Sequence, residues 1–303
     1  MSAFRNEYVG VIAAMASSAL GGVAGGTTRF AIGASDPVTL GLFRFGVGFL
    51  LLLPIALALR IKWPRGQDWL SVAALGVMYF ALFIVLFNLA FRYTTAARGS
   101  LALSTLPLMT MLVGAAFGVE ALDSRKTVGV IIAMTGAAVA LVTGVADAPS
   151  AAWRGDLIMV AATLVMALYN VWSRPFIIRS SPLAYVTAGM GFGSACLLGV
   201  AAWSESYVTV ASFNGPQWMA VVYLGVFGGA AAFFLWVFAL ERTTPTRTAI
   251  TMTINPVFAS AVGALTLGEP IGINLIVGLL AVFAGIWIAT SESSAKKGGS
   301  LRV

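Results

Sequence analysis

Residues 90–107 read AFRYTTAARGSLALSTLP, and residues 239–256 read ALERTTPTRTAITMTINP. The second stretch lies over the first at a constant offset of 149 positions, with Thr94/Thr243, Thr95/Thr244, Arg98/Arg247 and Pro107/Pro256 in register. Outward from there, the same ungapped register joins Gly76–Ala140 to Gly225–Ala289 through Gly114/Gly263, Glu120/Glu269, Gly129/Gly278 and Gly136/Gly285. A fainter match at an offset of 145 pairs Gly10/Gly155, Arg29/Arg174, Pro37/Pro182, Gly46/Gly191 and Gly48/Gly193. The chain is a duplicated unit, and duplication sets an architecture before any motif is weighed.

The 303 residues are 59% hydrophobic and only 10% charged, a balance that a water-soluble domain of this length does not tolerate on its surface. A bilayer span needs about twenty apolar residues. Ten stretches qualify: Tyr8–Phe30, Val38–Leu59, Trp69–Phe91, Gly99–Val119, Thr127–Val145, Gly155–Ile177, Ala184–Trp203, Pro216–Leu240, Thr248–Leu267 and Ile271–Thr290. The core of the first is interrupted by Ser17, Ser18 and the four glycines Gly21, Gly22, Gly25 and Gly26, unlike that of a cleaved signal peptide. Five spans per unit is an odd number, so the second unit starts on the opposite side of the membrane from the first. The predicted fold is therefore an all-α membrane protein of ten transmembrane helices in two inverted five-helix repeats, 1–147 and 148–290, with a disordered cytoplasmic tail, 291–303. Two units related in this way can exchange conformations, which is the physical basis of alternating access in many secondary transporters.

Orientation follows from the basic residues, because loops rich in Lys and Arg stay in the cytoplasm. With the N-terminus inside, the cytoplasmic set is Arg5, Arg60, Lys62, Arg65, Arg125, Lys126, Arg174, Arg179, Arg242, Arg247, Lys296, Lys297 and Arg302, thirteen against the five of Arg29, Arg44, Arg92, Arg98 and Arg154. Both termini are predicted on the cytoplasmic side of a bacterial inner membrane. The same scatter of a +7 net charge lacks the clustered footprint of a nucleic-acid binder. A single cysteine, Cys196, excludes a disulfide within the chain. With no His, neither a histidine proton relay nor a Ser/His site can be built. All four lysines fall in loops, which excludes a retinal Schiff base, and no carboxylate falls at a span centre, which excludes a paired-aspartate protease and leaves ion coupling without a carrier. Nothing implies a metal or cofactor.

The polar residues inside the spans are the candidate binding groups. Pro107 and Pro256 fall near mid-span, where proline frees a carbonyl one turn earlier, and an unsatisfied carbonyl must face protein or a wet cavity. Ser100 and Ser104 lie beside the first proline, Thr253 and Asn255 beside the second. These residues either line a midplane site or belong to kinks that their hydroxyls repair. Tyr79, Tyr169 and Trp236 lie at similar depth, placed to stack on an organic cargo or simply to pack. Asn88 and Asn170 must bond another helix or the cargo. Arg44 enters its span by about six residues, ~9 Å, so it is expected to snorkel to the interface or clamp two helices before serving as a carboxylate ligand. The glycines Gly21, Gly22, Gly25 and Gly26 are spaced for close helix contact. Glu120 and Glu269 end helices, where a carboxylate accepts from the orphan N–H groups of the helix that follows.

The residues that carry the repeat also resemble a known family. Ala239-Leu240-Glu241-Arg242-Thr243-Thr244, Arg247, Asn255-Pro256 and Leu267-Gly268-Glu269-Pro270 in the second half, matched by Ala90-Phe91-Arg92-Tyr93-Thr94-Thr95, Pro107 and Gly118-Val119-Glu120 in the first, resemble the EamA branch of the drug/metabolite transporters. The first span departs, with Leu20-Gly21-Gly22 where the family often has Trp-Gly. The resemblance implies a central cavity lined by the first, third and fourth spans of each half, with the fifth spans pairing halves or protomers, in a monomer or a dimer. It also implies a small-molecule substrate, and length and layout most resemble the YddG-type amino-acid exporters. Export of amino acids or similar metabolites is the expectation. An importer of a vitamin or nucleoside, or a channel or scaffold, is the alternative.

Overall fold

The structure, a computed structural model, describes residues 2–94, 96–145, 151–258 and 273–290, and its regular structure there is helical throughout. In the first half α1 is Ser2–Ala31, α2 is Pro37–Ala58, and α3 comprises Asp68–Val77, a π-helical turn Met78–Phe83 and Ile84–Tyr93. α4 comprises Ala96–Leu103 and Leu106–Ala116, and α5 is Ser124–Val145. In the second half α6 is Ala152–Arg179, α7 is Pro182–Trp203, and α8 comprises Gly215–Gly225, a second π turn Val226–Ala231 and Ala232–Arg242. α9 opens with Pro245–Ile250 and tightens into a 3-10 turn, Thr251–Ile254; α10 is Ile273–Thr290. Among the described residues seven of these helices are long and apolar enough to cross a bilayer. The expectations for Thr95, Glu269 and the tail 291–303 fall outside the described residues.

The two halves begin their helices with the same local chemistry. Asp36 caps α2 by accepting from the N–H groups of Val38 at 2.8 Å and Thr39 at 3.1 Å, and Ser181 caps α7 by accepting from Ala184 at 3.2 Å. Pro37 and Pro182 follow, each at a first-turn position where the missing N–H would have had no helical partner. The proline signals inside α4 and α9 become breaks: α4 is interrupted at Ser104-Thr105, just before Pro107, and α9 narrows just before Pro256.

Long-range contacts repeat in the same register and run antiparallel. Gly155, near the start of α6, packs on the end of α3, where a Cβ would stand 2.7 Å from the Ala90 carbonyl oxygen and from Thr94. Gly10, near the start of α1, meets the end of α8, with a Cβ placed 2.9 Å from Arg242 and 3.6 Å from the Ala239 oxygen. At the other end of α1, Arg29 donates to the Phe91 carbonyl at 2.8 Å; at the other end of α6, Arg174 donates to the Leu240 carbonyl at 3.2 Å. The end of α1 thus shares the α3 terminus with the start of α6, so the two helices cross the molecule in opposite directions.

The fifth helices of the halves pair with each other within the chain. A Cβ on Gly129 of α5 would lie 2.7 Å from the Ala289 nitrogen and the Gly285 oxygen of α10, so the backbones meet directly. The main core is aromatic and central: Phe45 of α2, Tyr79 and Phe80 of α3, Tyr169 of α6 and Phe233 of α8 are all buried, with ring centroids 4.1 Å apart for Tyr79–Tyr169 and 5.0 Å for Phe45–Phe233.

Candidate functional site

The two π turns stand at equivalent places in the repeat, in the middle of α3 and of α8. A π turn re-registers the backbone ladder, and such turns concentrate at functional sites. Tyr79 and Phe83 are buried in one, Gly228 and Gly229 in the other. The first borders a narrow cavity of ≈ 40 Å³ through Tyr79 and Phe83, and the second reaches its wall through Gly228, which is bonded to Arg44. That is room for about three waters and far too little for a metabolite, so this conformer is closed around its centre. Among the described residues its wall is made by Ser17 and Gly21 of α1, Arg44 of α2, Tyr79, Phe83 and Phe87 of α3, Leu103 of α4, Met166 of α6, Ala232, Phe233 and Trp236 of α8, and Met252 and Asn255 of α9.

Arg44 departs from its expected position. The clamp is present, since Nε and Nη2 donate to the Gly228 carbonyl of the second π turn at 3.1 and 3.0 Å. The snorkel is not: the residue is 5% exposed and borders the cavity, with its guanidinium 5.5–5.9 Å from the ring centroids of Phe45, Phe87 and Phe233. Those rings and one carbonyl hold a charge whose transfer to the membrane centre costs about 3 kcal/mol on insertion scales. No carboxylate lies within ion-pair distance of it among the described residues.

The other candidate residues separate into groups. Tyr79, Trp236 and Asn255 border the central cavity, and the Tyr79 hydroxyl and the Asn255 Oδ1 are buried without a hydrogen-bond partner. Tyr169 stacks behind Tyr79, and Asn170 stands behind Trp236, accepting from its indole N–H at 2.9 Å. Asn88 points elsewhere and donates to the Pro37 carbonyl at 2.8 Å. Ser104 donates back to the Ser100 carbonyl at 2.8 Å and Thr253 to that of Ile250 at 2.6 Å, so these hydroxyls repair their own helices. Pro107, Thr253 and Pro256 are buried without bordering the cavity. Ser104 instead borders a wider, open cavity of ≈ 450 Å³ with Arg98, Thr105 and Asp156. Of the glycines spaced for close contact, Gly21 and Gly22 pack on Asn255, whereas a Cβ on Gly25 or Gly26 would meet no described atom within 4 Å.

Glu120 does accept from an orphan N–H, but not from the helix that follows it. Its Oε1 takes the Thr246 N–H of α9 at 3.0 Å, and its Oε2 pairs with Lys126 at 2.8 Å, so it ties the first half to the second.

Two further ties were missed altogether. At the α3 terminus, Thr94 donates to Asp156 Oδ1 at 2.7 Å and Arg98 pairs with the other oxygen of that carboxylate, joining α3 and α4 to α6. At the α8 terminus, Thr243 donates to Glu7 Oε1 at 3.3 Å and Arg247 pairs with it, joining α8 and α9 to α1. Thr and Arg are equivalent in the repeat; the acids are not, since an offset of 145 sets Glu7 against Ala152. Relative to Gly10 and Gly155 the acid has moved by four residues, one turn, and therefore keeps its face. Glu7 and Arg29 lie 22 residues apart on α1, ~33 Å of helix, so the two latches stand at opposite ends of the molecule with the cavity between.

The chain matches the profile of the EamA-like transporter family twice, over residues 8–142 and 153–291. It is 25% identical over 274 residues to an uncharacterized transporter of Archaeoglobus fulgidus, covering 89% of this chain and 95% of that one. It is 26% identical over 260 residues, 85% of each chain, to a protein of Streptantibioticus cattleyicolor described as a "probable terminal-alkyne amino-acid exporter". A crystal structure of a protein 20% identical superposes with a TM-score of 0.74, covering 94% of this chain and 97% of the other, and shares the fold.

Proposed function

This chain belongs to the EamA-like transporter family, and from that premise we propose that it exports amino acids or similar small metabolites by alternating access. It is an all-α multi-pass membrane protein and a secondary transporter, not an enzyme. The halves 1–147 and 148–290 act as the two inverted units, with both termini in the cytoplasm of a bacterial cell. All the described residues of the cavity wall belong to one chain, and this reading needs no more than a monomer.

The observation that carries this reading is the pair of latches. Each ties the start of one half's first helix to the third and fourth helices of the other half, and they stand at opposite ends of one central cavity. With the termini inside, Glu7 guards the cytoplasmic end and Asp156 the periplasmic end. Both are closed here, as an occluded intermediate requires; releasing one while the other holds opens the cavity to one side only. The pairs are 14–28% exposed, and ion pairs of that kind contribute on the order of 1 kcal/mol or less. A few-fold change in population per latch suits a molecule that must alternate. Amino-acid cargo is supported by the YddG-type likeness, by the exporter of Streptantibioticus cattleyicolor, and by a cavity that mixes aromatic walls with Arg44, Tyr79 and Asn255.

Proteoliposome counterflow with labelled amino acids tests it. Saturable uptake, accelerated by unlabelled amino acid on the opposite side, is expected. No exchange with any amino acid would sink the cargo assignment, and flux without saturation or trans-stimulation would indicate a channel.

A further inference from the structure

Among the described residues the cavity wall carries one formal charge, and it is positive. Among the described residues its lining includes no Asp, Glu or Lys, so the ionic partner they offer a cargo is Arg44. The guanidinium has five N–H donors, and two of its nitrogens converge on the single carbonyl of Gly228. Nη1 makes no hydrogen bond to a described residue, and the surrounding rings of Phe45, Phe87 and Phe233 offer faces but no counter-ion. An arginine so placed is a charge awaiting an anion, and a planar carboxylate is the anion that matches its fork. The same wall holds the Tyr79 hydroxyl and the Asn255 Oδ1, both buried and unpartnered. These are neutral groups: they can hydrogen-bond an amine or a hydroxyl, but neither discriminates a cation by charge.

We infer that this site selects its cargo by a carboxylate bound to Arg44 and not by an ammonium group, so that the transported class is apolar or aromatic monocarboxylates, of which amino acids are one subset. The inference rests on the transport reading above and sharpens it. A carboxylate arriving at Nη1 supplies the counter-charge that no described residue offers, while Phe83, Phe233 and Trp236 take the apolar body of the cargo. Because Gly228 belongs to the π turn of α8, a cargo on Arg44 is coupled through one hydrogen-bonded residue to the helix that ends at the Glu7 latch.

Thermal stabilisation of the purified full-length protein by a panel of free amino acids identifies the tightest ligand. That ligand is then compared with its α-amide, which loses the carboxylate charge, and with its α-hydroxy acid, which loses the ammonium. The hydroxy acid is expected to stabilise the protein and compete in counterflow within a few-fold of the amino acid, and the amide to be weaker by roughly tenfold or more, the discrimination given by a charge-assisted hydrogen-bonded pair. Arg44→Gln should abolish this preference and Arg44→Lys should retain part of it. Since Arg44 also ties α2 to α8, the ligand series on the unaltered protein decides the matter even if the variants misfold. An amide that binds as well as its acid, or a hydroxy acid that fails where the amino acid succeeds, overturns the inference and leaves the transport reading intact. Exchange confined to solutes that carry no carboxylate overturns it as well, with transport still standing. Absence of any exchange removes both.

Discussion

Asn255 and Ser104 each lie within three residues of a helix-breaking proline, yet they end in different surroundings. Asn255 borders the central cavity with an unpartnered oxygen, whereas Ser104 donates to its own helix and borders the outer cavity. Asn255→Leu is therefore expected to lower the transport rate at least several-fold with normal expression, and Ser104→Ala to leave it near the unaltered level. A counterflow assay on both, normalised to protein in the vesicles, checks this; equal effects would mean the central cavity is not the cargo site. At this scale the sequence was partly legible. Tyr79 and Trp236 were identifiable as large aromatics at mid-depth, but the inward course of Arg44 was not. Position along a helix gives depth, not azimuth, and Arg44 has apolar neighbours on every side.

Among the elements, the breaks in α4 and α9 were announced by proline, a residue that cannot supply the N–H a helix needs. The π turns in α3 and α8 carried no such mark, because an extra residue in a turn alters the hydrogen-bond ladder without requiring a particular side chain. The latches were hidden for another reason: each joins an acid to a Thr and an Arg in the other half, and the acid has shifted by a turn out of the repeat register. Their role makes a sided expectation. With a cysteine at Phe83 in a Cys196→Ser background, Asp156→Asn should raise labelling by an impermeant maleimide several-fold from the face of the α3 terminus, and Glu7→Gln from the opposite face. The measurement is labelling rate in oriented vesicles. An equal rise from both faces, or none, would show that the pairs only brace the helices.

For the whole molecule, the α1 and α6 contacts fix relative direction and leave the assignment of cytoplasm to the basic residues. Ser181 donates its N–H to the Lys62 carbonyl at the start of α7, while Thr39 at the start of α2 bonds Ser206 just beyond the end of α7. Cysteines at Lys62 and Ser206 are therefore expected to label from opposite faces, Lys62 from the cytoplasm; labelling from one face alone would refute the arrangement. What the sequence by itself determined is the membrane, through composition, and the duplication, through a register held over 65 residues in each half. Those depend only on how many apolar residues run together and in what order. What only the tertiary structure decided is which face of each helix looks inward and which residues meet across the halves. Lipid tails and a protein interior are equally apolar, so the pattern that orients a helix in water is almost flat here, and only packing makes the choice.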